Sequence, residues 1–423
     1  MKIGNKFQKG IRIFVRTLKR TVNHAQSLSK QRKIMILSLL LIAASYYTAP
    51  FGVILLAAGL FAEWRHSIYR PVEFLMLAKK SIFLIPGSIL ILSAVIGPFF
   101  YRHALYAGLA FLILVPLIFS IIAIEVLWKK EDALHFARYV TMLIVPITVI
   151  SFGFFWIQGI FIVYSEHLRF AATFSNPNYF SYFLEITMLF AIALYYHIWK
   201  ASSRMWISVS FVLSLTCLFL TGSRTGFLAF LVGITIFCLL MSEKVILSVV
   251  FGALTIVLVA TAVFPEKSVM IFSDIIPRPE TFLLEIKYRF MLWDVALKQI
   301  IRNPFLGTGI GTYKFLVPRD APSVLKSAIH SHNIFINFWL ETGVFGFASF
   351  IWIFIRVISR AIKVLKTSNV RPYLSAGIAM IAVTAVHGIM DAPLVSSQNI
   401  SLFGLLLGCI VVMSRTAERF CDT

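Results

Sequence analysis

Twelve apolar runs, each long enough or nearly long enough to cross a bilayer, constrain this chain more than anything else in it. They fall at about 34–47, 50–62, 82–99, 104–128, 139–158, 179–199, 206–221, 226–241, 245–264, 333–355, 373–390 and 398–414. A helix crosses the hydrocarbon core in roughly 20 residues, and backbone polar groups in lipid find partners only within helices or closed barrels. The runs therefore predict an all-α polytopic integral membrane protein of about 12 transmembrane helices, several of them tilted, broken or paired as hairpins. Composition agrees, because 59% of the 423 residues are apolar and 13% charged, with a mean hydropathy of +0.87. No water-soluble surface can be made from such a chain.

The formal net charge of +21 would suggest nucleic acid in a soluble protein. Here it reflects Lys and Arg held at the inner leaflet, and nucleic-acid binding is not expected. The first 33 residues carry ten basic residues and no acid, with Ile3, Phe7, Ile11, Phe14 and Leu18 at helical spacing. That is a basic amphipathic segment lying on the anionic cytoplasmic face, too long and too charged for the start of a cleaved signal. With this end inside, the N-terminal segment, the cytoplasmic connections and the tail together hold 27 of the 39 Lys and Arg, as the orientation rule requires. The chain then divides into a cytoplasmic segment 1–33, helices one to nine over 34–264, an outer loop 265–332, helices ten to twelve over 333–414, and a cytoplasmic tail 415–423. Cys217, Cys238, Cys409 and Cys421 form no C-x-x-C pair, so neither a disulfide framework nor a metal site is expected from them.

Basic residues on the outer side need a reason. Nine of those twelve lie in 265–332; Arg169 and Arg224 stand in two shorter connections. Leu283, Ile286, Phe290, Trp293, Leu297 and Ile300 predict an amphipathic helix over 281–302, with Arg289 at the border of its apolar stripe and Asn303-Pro304 ending it. Topology alone thus brings Arg169, Arg224, Arg289 and His332 to one membrane face. Arg224 opens a span, where a helix N-terminus and a guanidinium together suit phosphate oxygens; anchoring of a helix end by a snorkelling arginine is the other reading, and Arg169 has the same two. His332 stands where the loop re-enters the membrane. It is placed for a general base or for an interfacial histidine bonded to a carbonyl, and His330 competes for either role. The two histidines are expected to diverge once the helix begins, so that only one faces a cavity. Asn333 is placed to orient the ring or a sugar hydroxyl. Glu341, in a span, is either functional or paired with an arginine such as Arg289; His387 and Asp391 either complete the polar cavity or bond each other. Gly307, Gly309 and Gly311 read as tight turns rather than a phosphate loop. No D-x-D pair lies on the outer side, so a carboxylate-held divalent metal is not expected.

The residues R-F-M-L-W from Arg289, and above all His332-Asn333-x9-Gly343-x-x-Gly346, resemble the O-antigen ligase family, within the ligase and polymerase superfamily of GT-C type membrane glycosyltransferases. About sixty residues carry the motifs. The resemblance implies a GT-C-like fold in the bacterial inner membrane, with the long loop periplasmic and no cofactor. It further implies His332 as catalytic base, Arg169, Arg224 and Arg289 on the donor diphosphate, an undecaprenyl diphosphate-linked glycan as donor, and lipid A-core as acceptor, with membrane lipids around the chain. Polymerases of the superfamily often carry Arg-x10-Gly in outer loops, and no outer arginine here has glycine at that spacing. A polymerase acting on the same donor is the alternative. A non-enzymatic transporter of lipid-linked sugar is another, although its charges would be expected near the midplane of repeated halves.

Overall fold

The computed structural model describes residues 30–45, 47–66, 71–100, 104–145, 147–148, 163–164, 167–197, 201–243, 279–317 and 322–421. Its first helices are α1 (Lys30–Ala44), α2 (Ala49–His66), α3 (Pro71–Lys79), α4 (Leu84–Phe100), α5 (Ala104–Leu127) and α6 (Lys130–Met142). A two-residue antiparallel pair follows, β1 (Val163–Tyr164) with β2 (His167–Leu168). Then come α7 (Pro177–His197), α8 (Ala201–Leu220), α9 (Arg224–Met241) and α10 (Pro279–Arg302). The last are α11 (Ser323–Lys326), α12 (Ile334–Val364), α13 (Arg371–Met390) and α14 (Ser397–Cys421).

Among the described residues six helices are long and apolar enough to cross a membrane: Ala110–Leu127, Pro177–His197, Arg224–Met241, Ile334–Val364, Arg371–Met390 and Ser397–Arg415. The pair α3 and α4, bent by 86° at a short break, makes a seventh if it is one span. Shorter apolar helices cover Lys33–Ala44 and Arg204–Leu220. The chain is a polytopic membrane protein. The expected run at 245–264, the end of the run at 139–158, the start of the outer loop and the basic segment up to 29 lie outside the described residues.

Two helices reach beyond the apolar runs, for one physical reason. Past residue 355, α12 continues to Val364 because Val357, Ala361 and Val364 stay buried while Arg356 and Lys363 are exposed. Mean hydropathy falls there, but the apolar face persists. In the same way α3 forms inside an expected connection, burying Phe74 and Ala78. At the centre, α7 and α14 are enclosed on nearly all sides, as helices apolar all round require. α7 packs on α8, α13 and α9; α13 packs on α9, and α14 on α5.

α12 breaks at Gly343, whose φ of 65° and ψ of −177° no L side chain adopts comfortably. The break frees the carbonyls of Leu340 and Glu341, which accept from the Thr308 and Gly309 amides at 2.8 Å each; the Val344 amide donates to Pro304 O, also at 2.8 Å. Gly307 and Gly309, at φ of 68° and 104°, shape the loop that fits this gap. The close approach at Gly343 is therefore between a loop and a broken helix rather than between two helices, whereas Gly346 does face Ser93 of α4. Replacing Gly343 with Ala would place a Cβ 2.1 Å from Phe305 O on top of the backbone strain. Gly343→Ala should cost more than about 3 kcal/mol, read as a lowered thermal midpoint and reduced yield of the purified full chain.

Candidate functional site

The turn between α11 and α12 is set by its own side chains. Asn333 caps α12, its Oδ1 accepting from the Phe335 and Ile336 amides at 3.0 Å each, while its Nδ2 donates to Ile389 O at 3.0 Å. Its amide is thus spent on holding α12 against α13 and does not orient the histidine. Ser331 donates from its amide to Asn337 Oδ1 and from its hydroxyl to Asn333 O. Within this frame His332 takes a left-handed backbone, φ 52°, an uncommon conformation for a residue other than glycine.

Both histidines face Asp391, against the expected divergence. They precede the first helical turn, so helical geometry does not separate them, and their rings lie 4.3 Å apart. Their surroundings nevertheless assign different roles. The His330 side chain is 2% exposed; its Nδ1 accepts the His332 amide at 3.1 Å, which leaves the proton of the neutral ring on Nε2, 3.8 Å from Asp391 Oδ1. Burial, helped by repulsion from His332, pushes its pKa down to about 3. His330 is a neutral ring whose one lone pair, on Nδ1, is engaged. The His332 side chain is 23% exposed, and its Nδ1 lies 3.1 Å from Asp391 Oδ1.

The direction of the hydrogen bonds follows from arginine, which can only donate. Arg169 donates from Nε to Thr221 O and from Nη2 to Asn178 Oδ1, both at 2.7 Å. Asn178 must then present its Nδ2, which donates to Asp391 Oδ2 at 2.7 Å. Asp391 Oδ1 accepts the Ala392 amide at 2.8 Å. Asp391 thus accepts on both oxygens, and the fitting state of His332 has its proton on Nδ1 and a lone pair on Nε2. Burial by itself would raise the Asp391 pKa, but its histidine neighbours, His332 first through both its field and its hydrogen bond, hold it well below the usual carboxylate range.

Beside this dyad stands a second element. Arg224 is the first residue of α9, capped by Ser223, whose Oγ accepts the Gly226 amide at 3.2 Å. Its Nη2 donates to Glu285 Oε1 at 2.6 Å, and Arg289 Nη1 lies 3.9 Å from Glu285 Oε2. Glu285, on α10, thus bridges the two guanidinium groups, while Arg224 Nη1 is buried with no partner among the described residues. The neighbouring Tyr288 of α10 sets its ring 6.2 Å from that of His332.

His387 and Asp391 do not bond each other through their side chains. His387, fully buried, faces both oxygens of Glu185 from its Nδ1 at 3.0 and 3.1 Å, and its Nε2 has no partner among the described residues. Glu341 meets no arginine among the described residues; its Oε1 accepts the Gly311 amide at 2.9 Å, closing the loop that fills the break in α12. The structure therefore brings together Arg169, Arg224, Arg289, His330, His332, His387 and Asp391. Asn333 and Glu341 serve as local braces. Glu185, Glu285 and Asn178 join the site without having been singled out in the sequence. Ligand atoms of His330, His332 and Asp391 all lie within 4.8 Å of one another, a spacing that can also hold a cation.

Residues 209–351 match the family model described as O-antigen ligase. A protein of Rickettsia prowazekii (strain Madrid E), provisionally named a polysaccharide ligase, is 28% identical over 178 residues. That similarity covers 38% of this chain, which spans about two fifths (42%) of the relative's length. Arg224, Arg289 and His332 all fall inside the matched stretch, and it is to the O-antigen ligase family that this part of the chain is similar.

Proposed function

We propose that the chain is an O-antigen ligase, a membrane glycosyltransferase that moves a glycan from undecaprenyl diphosphate to a hydroxyl of lipid A-core. The observation that carries the reading is the His332–Asp391 pair lying at the end of a hydrogen-bonded chain from Arg169, beside Arg224 and Arg289. His332 Nε2 takes the proton of the acceptor hydroxyl as its oxygen attacks the anomeric carbon. The bond from that carbon to the diphosphate breaks, and the leaving undecaprenyl diphosphate departs with the electron pair. One displacement inverts the anomeric centre. Charge growing on the diphosphate is met by the guanidinium groups of Arg224 and Arg289. Arg224 Nη1 is a buried donor open to such oxygens. Arg169, with two of its donors held by Thr221 and Asn178, acts by positioning.

In this reading about 12 helices cross the bacterial inner membrane, both termini are cytoplasmic, and the site opens to the periplasm. The distribution of Lys and Arg supports that orientation. Lysine at position 224 or 289 keeps the charge but loses the planar fork. Arg224→Lys and Arg289→Lys should each lower transfer by roughly 10- to 100-fold while the protein accumulates normally. Full activity in both would leave anchoring of helix ends as the better account. A polymerase would give a different product from the same donor, a longer lipid-linked glycan with no label on lipid A-core.

A further inference from the structure

Beyond the break at Gly343, a cavity of about 460 Å³ lies between α12 and the bend joining α3 to α4. Arg356, at one end of it, stands 22 residues past Ile334 and opens the basic end of α12 with Arg360 and Lys363. Basic residues gather at the inner leaflet, so this end of the cavity lies toward the membrane face opposite His332. On α12 it is lined by Phe345, Ala348, Ser349, Trp352 and Arg356, a single stripe at helical spacing. Ile82, Ile85, Pro86 and Ile89 form the facing wall, and Lys80 and Ser81 close the end beside Arg356. Trp352 is 55% and Ile85 71% exposed, so the apolar walls open sideways to lipid.

The two cations at the closed end are unspent. The Lys80 and Arg356 side chains form no ion pair or hydrogen bond among the described residues, while the neighbouring Arg360 is held by Glu125 at 3.4 Å. The first turn of α4 begins beside them at Leu84, and its amides add partial positive charge at the same end. A groove with an apolar length and a doubly cationic end matches one kind of molecule. We propose that it binds an anionic glycerophospholipid of the leaflet opposite the candidate site, the phosphate between Lys80 and Arg356 and an acyl chain along Ile85, Ile89, Phe345 and Trp352. The lipid would clamp the bent pair α3 and α4 against α12, the helix whose other end carries the His332 turn.

The test uses the purified, delipidated full chain in detergent. Its thermal midpoint is followed with added phosphatidylglycerol, phosphatidylcholine or soluble glycerol phosphate, and co-purifying lipid is counted by mass spectrometry. Phosphatidylglycerol should raise the midpoint by several degrees and be retained over phosphatidylcholine, with no effect of glycerol phosphate. The double variant Lys80→Gln/Arg356→Gln, which removes no ion pair or hydrogen bond among the described residues, should keep the basal midpoint and lose the increment. Equal effects of the two lipids, an equal effect of glycerol phosphate, or a full increment in the double variant would overturn the proposal. Retention of phosphatidylglycerol by the unaltered chain is read without any variant, so a poorly folding one would not blunt the test.

Discussion

His332→Ala is expected to lose transfer by about a hundredfold or more while still binding the lipid-linked donor, and His330→Ala to lose much less. The two histidines sit on one carboxylate, but only His332 has a nitrogen left for the acceptor. In His330 the Nδ1 lone pair receives the His332 amide and the ring is buried. Its truncation removes a brace from a backbone held at φ 52°, an effect on positioning rather than on proton transfer. Both variants are compared in one turnover assay, with donor retention measured alongside. Equal losses, or substantial turnover by His332→Ala, would assign the proton to another group.

The second large effect falls on Asp391. Asn in its place keeps the shape but offers one acceptor where the structure uses two, against the Asn178 amide, the Ala392 amide and the His332 ring. One donor must then face another, and the negative charge that favours a proton on Nδ1 and stabilises the imidazolium is gone. Asp391→Asn should therefore lower turnover by roughly 100- to 10,000-fold with little change in apparent donor affinity. Because the loss acts through the His332 ring, the pH dependence of turnover should shift as well. A purely structural role would instead change donor affinity and thermal midpoint, with an unaltered pH profile.

Much of this arrangement was legible in the chain. Six of the twelve apolar runs coincide with helices long and apolar enough to cross a membrane, a seventh with the bent pair α3 and α4, and the stripe from Leu283 to Ile300 predicts α10 to within a few residues. Arg169, Arg224, Arg289 and His332 were placed on one face by counting crossings. What escaped were pairings across long separations. Glu185 lies within an apolar run, and its partner His387 is 202 positions away, so nothing local announces the pair. The same pair gives Gly226 a role, since a Cβ there would lie 2.8 Å from Glu185 Oε1. Glu285 did have a local signal, its place one helical turn before Arg289. The divergence expected of His330 and His332 failed because Asn333 starts the helix only after both, so the turn rather than the helix sets their directions.

The most direct measurement of the central claim gives the purified full chain an undecaprenyl diphosphate-linked glycan and lipid A-core, with EDTA present throughout. The chelator matters because His330, His332 and Asp391 are spaced closely enough to hold a cation. The account predicts glycan on lipid A-core, with the anomeric centre inverted, at the same rate with and without chelator. Lengthened lipid-linked glycan with lipid A-core unmodified, or transfer that stops in EDTA and returns with a divalent metal, would contradict it.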